Sequence, residues 1–131
     1  MEIFLEVNNS MSMLGCLSIE LSESKLHCNG NIYIEENMEE SVLEANGEWD
    51  FDMPVSDYSD IVHIIQNIEV TPIPKLAIGL DGTTYELNIR NEFNSAVYHW
   101  WGDPPEGWED LGKFTAKLIK YTRDRIKQEQ S

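Results

Sequence analysis

Apolar and polar residues alternate with period two over several short runs, as in strands with one buried face. In Glu2–Val7 the residues Ile3, Leu5 and Val7 fall on one side; in Gly15–Leu21 the residues Leu17, Ile19 and Leu21 do, against Cys16 and Ser18. Lys25–Cys28 and Asn31–Glu35 flank Asn29-Gly30, the strongest short signal for a two-residue turn, so the spacing predicts a hairpin there. Trp49 and Phe51 alternate with Asp50 and Asp52 as a short half-buried strand that Pro54 ends. An antiparallel meander therefore opens the chain.

The period then becomes helical. Tyr58, Ile61, Val62, Ile65 and Ile68 recur on one face behind a capping residue, Ser56 or Asp57, with Asp60 in the first turn. Thr71-Pro72-Ile73-Pro74 stops this helix. Lys75–Leu80 and Thr83–Arg90 around Asp81-Gly82 predict a second hairpin, with Tyr85, Leu87 and Ile89 on one face and Thr84, Glu86, Asn88 and Arg90 on the other. Asn94–Trp101 adds a strand in which Trp100 and Trp101 must point to opposite faces, so at most one enters the main core. A last helix is expected to start at Asp103 as N-cap, with Pro104 and Pro105 in its first turn and Glu106 completing a capping box. Its apolar side carries Trp108, Leu111, Phe114, Leu118, Tyr121 and Ile126; Lys113, Lys117, Lys120, Arg123, Arg125 and Lys127 face water. The pattern predicts an α+β fold: an antiparallel sheet of meander and hairpins with two helices packed on it. No repeat or linker interrupts it, so residues 1–131 are expected to form a single domain.

Charge narrows the function classes. The 131 residues carry a formal net charge of −15. Residues 1–110 hold 22 acids against Lys25, Lys75 and Arg90, whereas 111–131 hold two acids and six bases. Such a body is no direct binder of nucleic acid, which needs clustered cations, and is repelled by anionic membranes. MEIFLEVNN has neither a cationic leader nor an apolar run, so the expected location is cytoplasmic. Cys16 and Cys28 then read as reduced, half-buried side chains rather than a disulfide.

Catalytic signatures are missing. The chain has no nucleophile elbow, phosphate loop, dinucleotide fingerprint or H-E-x-x-H pair, and His27, His63 and His99 sit in separate segments. The expectation is a protein that is not an enzyme and needs no cofactor. Asp50-Phe51-Asp52-Met53-Pro54 fails as a calcium loop at its third ligand and lacks the turn glycine, so no metal is expected either.

Residues 35–60 hold ten carboxylates and no Lys, Arg or His. Placed between a hairpin and a helix, the stretch reads as a surface connection, either plainly solvated or facing a cationic partner. Self-repulsion at this density costs stability, and a surface that tolerates the cost can use it to steer a basic protein in. The candidate partner-binding residues are Glu39, Glu40, Glu44, Glu48, Asp50, Asp52, Asp57, Tyr58 and Asp60. Trp49 and Phe51 lie among them and, with Tyr58, offer aromatic anchors; core burial is the competing reading, stronger for Trp49 and Phe51 than for Tyr58.

The run Leu80-Asp81-Gly82-Thr83-Thr84-Tyr85-Glu86-Leu87, then Tyr98-His99-Trp100-Trp101-Gly102, Pro105, Trp108 and Leu111, resembles the C-terminal half of small acidic bacterial proteins. In size, acidity and element order the chain is similar to immunity proteins of contact-dependent inhibition and other polymorphic toxin systems, over about residues 80–118. The resemblance implies an inhibitor whose partner is a basic protein, a cognate nuclease toxin; it implies no individual functional residue. A phage-encoded nucleic-acid mimic that blocks a host defence protein would use the same physics. A different class is a small-molecule or carbohydrate-binding domain with Tyr98, Trp100, Trp101 and Trp108 as its platform.

Overall fold

A computed structural model describes residues 1–9, 15–36, 41–75 and 82–130, and side chains outside 9, 31–36, 41–46 and 130. In chain order the elements are β1 (Glu2–Asn9), β2 (Gly15–Ser22), β3 (Lys25–Glu36), β4 (Ser41–Asp52), α1 (Val55–Gln66), β5 (Thr83–Asn91), β6 (Asn94–Trp101) and α2 (Glu109–Gln130). The strands form one antiparallel sheet in the order β4-β3-β2-β1-β5-β6. The fold is α+β, with both helices on one face of the sheet. The chain leaves the sheet at the β4 edge, crosses that face through α1, and re-enters beside β1.

Register explains which residues are buried. Ile3 pairs with Leu21 and Ile89, Leu5 with Ile19 and Leu87, Ile19 with Cys28, and Cys28 with Trp49. These rungs point at the helices, as do Leu26 beside Phe51 and Tyr85 beside Trp100. Leu111, Phe114, Leu118 and Ile126 of α2 and Ile61 and Ile65 of α1 close over them. Two threonines share the inner side of α2, and Thr122 satisfies its hydroxyl by donating to Leu118 O at 2.9 Å.

Several local expectations change. Asn29-Gly30 is not a turn: β3 runs through it without a break, Gly30 lying opposite Leu17 on one side and Gly47 on the other. Gly30 has φ +119, and a Cβ there would stand 2.0 Å from the main-chain oxygen of Cys16, so the glycine serves a close approach of β2 to β3. The turn falls earlier, at Glu23-Ser24, where Ser22 pairs with Lys25. The acidic stretch is not a connecting loop either, since 41–52 is a continuous edge strand. The helix α1 begins one residue before the expected cap, with Pro54 as N-cap and no side-chain cap bond; proline presets the entry φ at −54. The strand expected at 75–80 falls outside the described residues apart from Lys75, and both edges of β5 are occupied, by β1 and β6.

The last helix starts at Glu109, not at Asp103. Asp103–Trp108 is a turn-rich approach in which Thr71 N–H donates to Gly107 O at 3.3 Å and Trp108 Nε1 donates to Thr71 O at 2.7 Å. The cap comes from inside the helix: the Glu109 carboxylate accepts the Gly107 N–H at 2.9 Å. Its own backbone N–H first, and that of Gly107 second, hold it below the usual carboxylate range.

Candidate functional site

Alternation along the strands leaves the second face of the sheet to solvent, and the register lines its residues up in rungs. The middle rung reads Val97, Asn88, Phe4, Glu20, His27, Asp50 from β6 to β4. On one side of it stand His99, Glu86, Glu6, Ser18, Asn29 and Glu48; on the other Ser95, Arg90, Glu2, Ser22, Lys25 and Asp52. Within these three rungs seven carboxylates thus share a face with two cations, Lys25 and Arg90, and two histidines, His27 and His99. At its centre is a shallow concavity of about 540 Å³ between Glu6, Glu86, Glu20 and Arg90, floored by Phe4, which is 39% exposed.

The charges are compensated unevenly. His27 Nδ1 lies 2.6 Å from Asp50 Oδ1 and its Nε2 lies 3.2 Å from Glu48 Oε1. Only the imidazolium can donate from both nitrogens. The hydrogen bond to Asp50 raises the histidine pKa above 6.5, burial opposes it, and the charges of Asp50, Glu48 and Glu20 reinforce it. Arg90 stands opposite Glu2, and Lys25 opposite Asp52. Glu6, by contrast, stands directly opposite Glu86. Like charges facing across a ladder destabilise it, and among the described residues neither has an ion-pair partner.

The predicted binding residues divide between two faces. Glu48, Asp50 and Asp52 are exposed on the open face. Asp57, Tyr58 and Asp60 belong to α1, in the layer behind the sheet. There Asp57 accepts the Tyr121 hydroxyl at 2.9 Å, and Tyr58 donates to Met1 O at 3.2 Å. Both phenols are pushed up, by burial first, then by Glu23 for Tyr58 and Asp57 for Tyr121. Asp60 lines a smaller hollow with Lys117, Lys120 and Asp124. Glu44 lies on β4 opposite Tyr33, but its side chain, like Glu39 and Glu40 altogether, lies outside the described residues. Trp49 and Phe51 face the helices: Phe51 is buried under the Arg125 guanidinium, 5.3 Å from its centroid, and Trp49 is half-buried against the core. The stretch is therefore not one continuous acidic surface. Alternation sends its acids and its aromatics to opposite sides, and α1 carries its last acids behind the sheet.

Glu2, Phe4, Glu6, Glu20, His27 and Glu86 were not singled out by the local density of acids. Their signal was parity: each is the polar or out-of-phase partner of a core residue in an alternating strand.

The tryptophan segment is mostly core. Trp100 stacks on Tyr85 at 5.4 Å, while Trp108 meets Tyr98 and Trp100 edge-on at 5.4 and 6.2 Å. Trp101 points to the open face, 43% exposed, so the four rings do not share one platform. Cys28 is fully buried, its thiol pushed up to about 11 by burial first and Asp50 second; Cys16 is exposed on the open face, so the two thiols lie on opposite sides of the sheet. No group of three metal-ligating side chains is assembled among the described residues, and no described helix is long and apolar enough to cross a membrane.

Fold and face together define a two-layer α+β protein whose second sheet face is acidic and, among the described residues, uncovered. No protein-family model matches the sequence, and it matches no curated protein.

Proposed function

We propose that this chain is a cytoplasmic inhibitor of a basic protein: an immunity protein that neutralises a cognate nuclease toxin by occupying its phosphate-gripping cations. What carries the reading is the opposition of Glu6 and Glu86 beside the exposed ring of Phe4. A folded sheet gains nothing from that opposition, whereas a Lys or Arg of a partner entering the concavity would relieve it with a charge-assisted bond. Phe4 supplies the apolar anchor, and the flanking acids on β1, β2 and β4 supply long-range steering. The proposed contact set therefore moves from the 35–60 stretch as a whole to Glu2, Phe4, Glu6, Glu20, Glu86, Glu48, Asp50 and Asp52.

Glu86→Lys tests it with two readouts that move in opposite directions. Turning the like pair into an opposite pair should stabilise the free protein by about 0.5 kcal/mol. The same change should weaken the complex with the product of the neighbouring gene at least ten-fold in titration calorimetry, about 1.4 kcal/mol. Affinity of the unaltered protein should fall with added salt. A complex indifferent to both salt and Glu86→Lys would refute the proposal.

A further inference from the structure

The two edges of the sheet are guarded differently. Edge strands expose unpaired main-chain groups and are normally protected by charge, proline or irregularity. At one edge β4 carries Glu48, Asp50 and Asp52. At the other, Asn94–Trp101 contains no Asp, Glu, Lys or Arg, and among the described residues no strand lies beyond it. In a chain of net charge −15 an uncharged eight-residue edge is the place where another copy meets the least local repulsion.

Hydrogen-bond parity says which groups it offers. Gly102 N–H donates to Thr83 O at 2.8 Å, so the rungs 85–100, 87–98 and 89–96 are the hydrogen-bonded pairs of β5 and β6. The N–H and C=O of Ser95, Val97 and His99 consequently point outward. The side chains of these same residues lie on the open face. Among the described residues, three of the six large exposed apolar side chains belong to this strand or its turn: Phe93, fully exposed, Val97 at 56% and Trp101 at 43%. Their spacing, 93, 97, 101, is symmetric about Val97.

We infer that β6 is a homodimerisation edge, pairing antiparallel with β6 of a second copy about a two-fold axis at Val97. Val97 then faces Val97 of the second copy, Ser95 faces its His99, and Phe93 at the turn falls beside its Trp101. All three exposed apolar residues find apolar neighbours in the one register that also pairs the outward main-chain groups, giving about six bonds from three hydrogen-bonded pairs. A heterologous strand would require no such symmetry of 93 and 101 about 97. The Phe4 floor of the acidic concavity lies two strands from the pairing edge, with β5 between them, and the concavity stays open in the dimer.

So short an interface gives a weak dimer, with a Kd on the order of 10–100 µM, and one that tightens with salt because two anionic chains repel. That dependence is opposite to the one expected of the complex with a basic protein, so the two associations are separable. Sedimentation equilibrium of the full chain at low and high salt should show it. Val97→Lys places two cations face to face at the axis and should raise Kd at least ten-fold, even though it lowers the overall repulsion. In a Cys16→Ser background, Val97→Cys should form a disulfide-linked dimer under mild oxidation, while Ser59→Cys on α1 should not. Any of three results overturns the inference: a monomer at all salts up to about 1 mM, a dimer indifferent to Val97→Lys, or equal cross-linking of both cysteine variants. A chain that stays monomeric, and whose Val97→Lys form loses only the complex with another protein, overturns it equally, because the edge then serves that protein.

Discussion

Gly30→Ala adds one methyl group at the point where β2 and β3 come closest. The new Cβ would stand 2.0 Å from the Cys16 carbonyl oxygen, 3.0 Å from its carbon and 3.2 Å from Leu17 Cα, all main-chain atoms that no side-chain rotation can move. Carbon and oxygen need about 3.3 Å, so β2 must retreat by more than an ångström. That costs the flanking ladder bonds, about 1 kcal/mol each for one or two of them. The φ of +119 adds about 1–3 kcal/mol of backbone strain for alanine. The sum is roughly 2–5 kcal/mol out of a total of about 5–15 for a domain of this size. Gly47, its neighbour across the rung, is the control: at φ +154 its Cβ would meet only the Trp49 ring at 3.5 Å, so Gly47→Ala carries the backbone strain without the main-chain clash, about 1–3 kcal/mol. Urea unfolding followed by far-UV circular dichroism measures both. Hydrogen exchange adds a local readout: Cys16 O points at β3, so the residues of its parity bond there, and Gly30→Ala should expose the amides of Cys16 and Ser18. Equal costs for the two variants, or unchanged protection in β2, would refute the close-approach argument and return Asn29-Gly30 to the role of an exposed turn.

The His27 bridge predicts a pH dependence whose sign follows from its raised pKa. The folded state binds the proton more tightly than the unfolded chain, so the stabilisation is fully present below about 6.5 and is lost as pH rises through the folded value. Thermal melts across that window should show the decline, and His27→Gln should flatten it; an unaltered profile would mean the two carboxylates do not hold the imidazolium. Trp108→Phe removes the indole donor from Thr71 O while keeping most of the edge-on ring contacts. A loss of about 1–2 kcal/mol in urea unfolding is expected, and no loss would show that the indole bond does not hold Thr71 in place.

The elements that alternate cleanly were legible in the sequence. Ile3-Leu5-Val7, Leu17-Ile19-Leu21 and Tyr85-Leu87-Ile89 all occupy the helix-facing side as their parity requires, and Trp100 and Trp101 divide between core and open face. What the sequence did not disclose was partnering. Asn29-Gly30 has the composition of a turn, but the chain already turns at Glu23-Ser24, and the pairing of β2 with β3 that follows makes Gly30 a site of close approach instead. Asp103 and Glu106 likewise have the spacing of a capping box, but the docking of Thr71 on Gly107 and Trp108 fixes the preceding backbone and moves the helix start to Glu109. Both are cases of tertiary contacts overriding a correct local preference.

The acidic stretch shows why density along the chain is a poor guide to potential on the surface. At its described strand end, Glu48 and Asp50 share His27, and Asp52 faces Lys25; Asp57 is engaged by Tyr121 behind the sheet. Glu6 and Glu86, like charges directly opposite with no ion-pair partner among the described residues, are 80 positions apart and meet because β1 and β5 are neighbours. Neither stands in an acid-rich run, yet the two are directly opposite in a ladder, where facing Cβ atoms lie about 4.5–5.5 Å apart, with an exposed phenyl ring alongside. A field strong enough to draw a cation in arises where charge is left unneutralised beside a low-dielectric wall. By that criterion the centre of the open face outweighs the described strand end of the stretch, Glu48 to Asp52, and under the proposed function a basic partner should be steered to Phe4, Glu6 and Glu86 before it meets that end of β4.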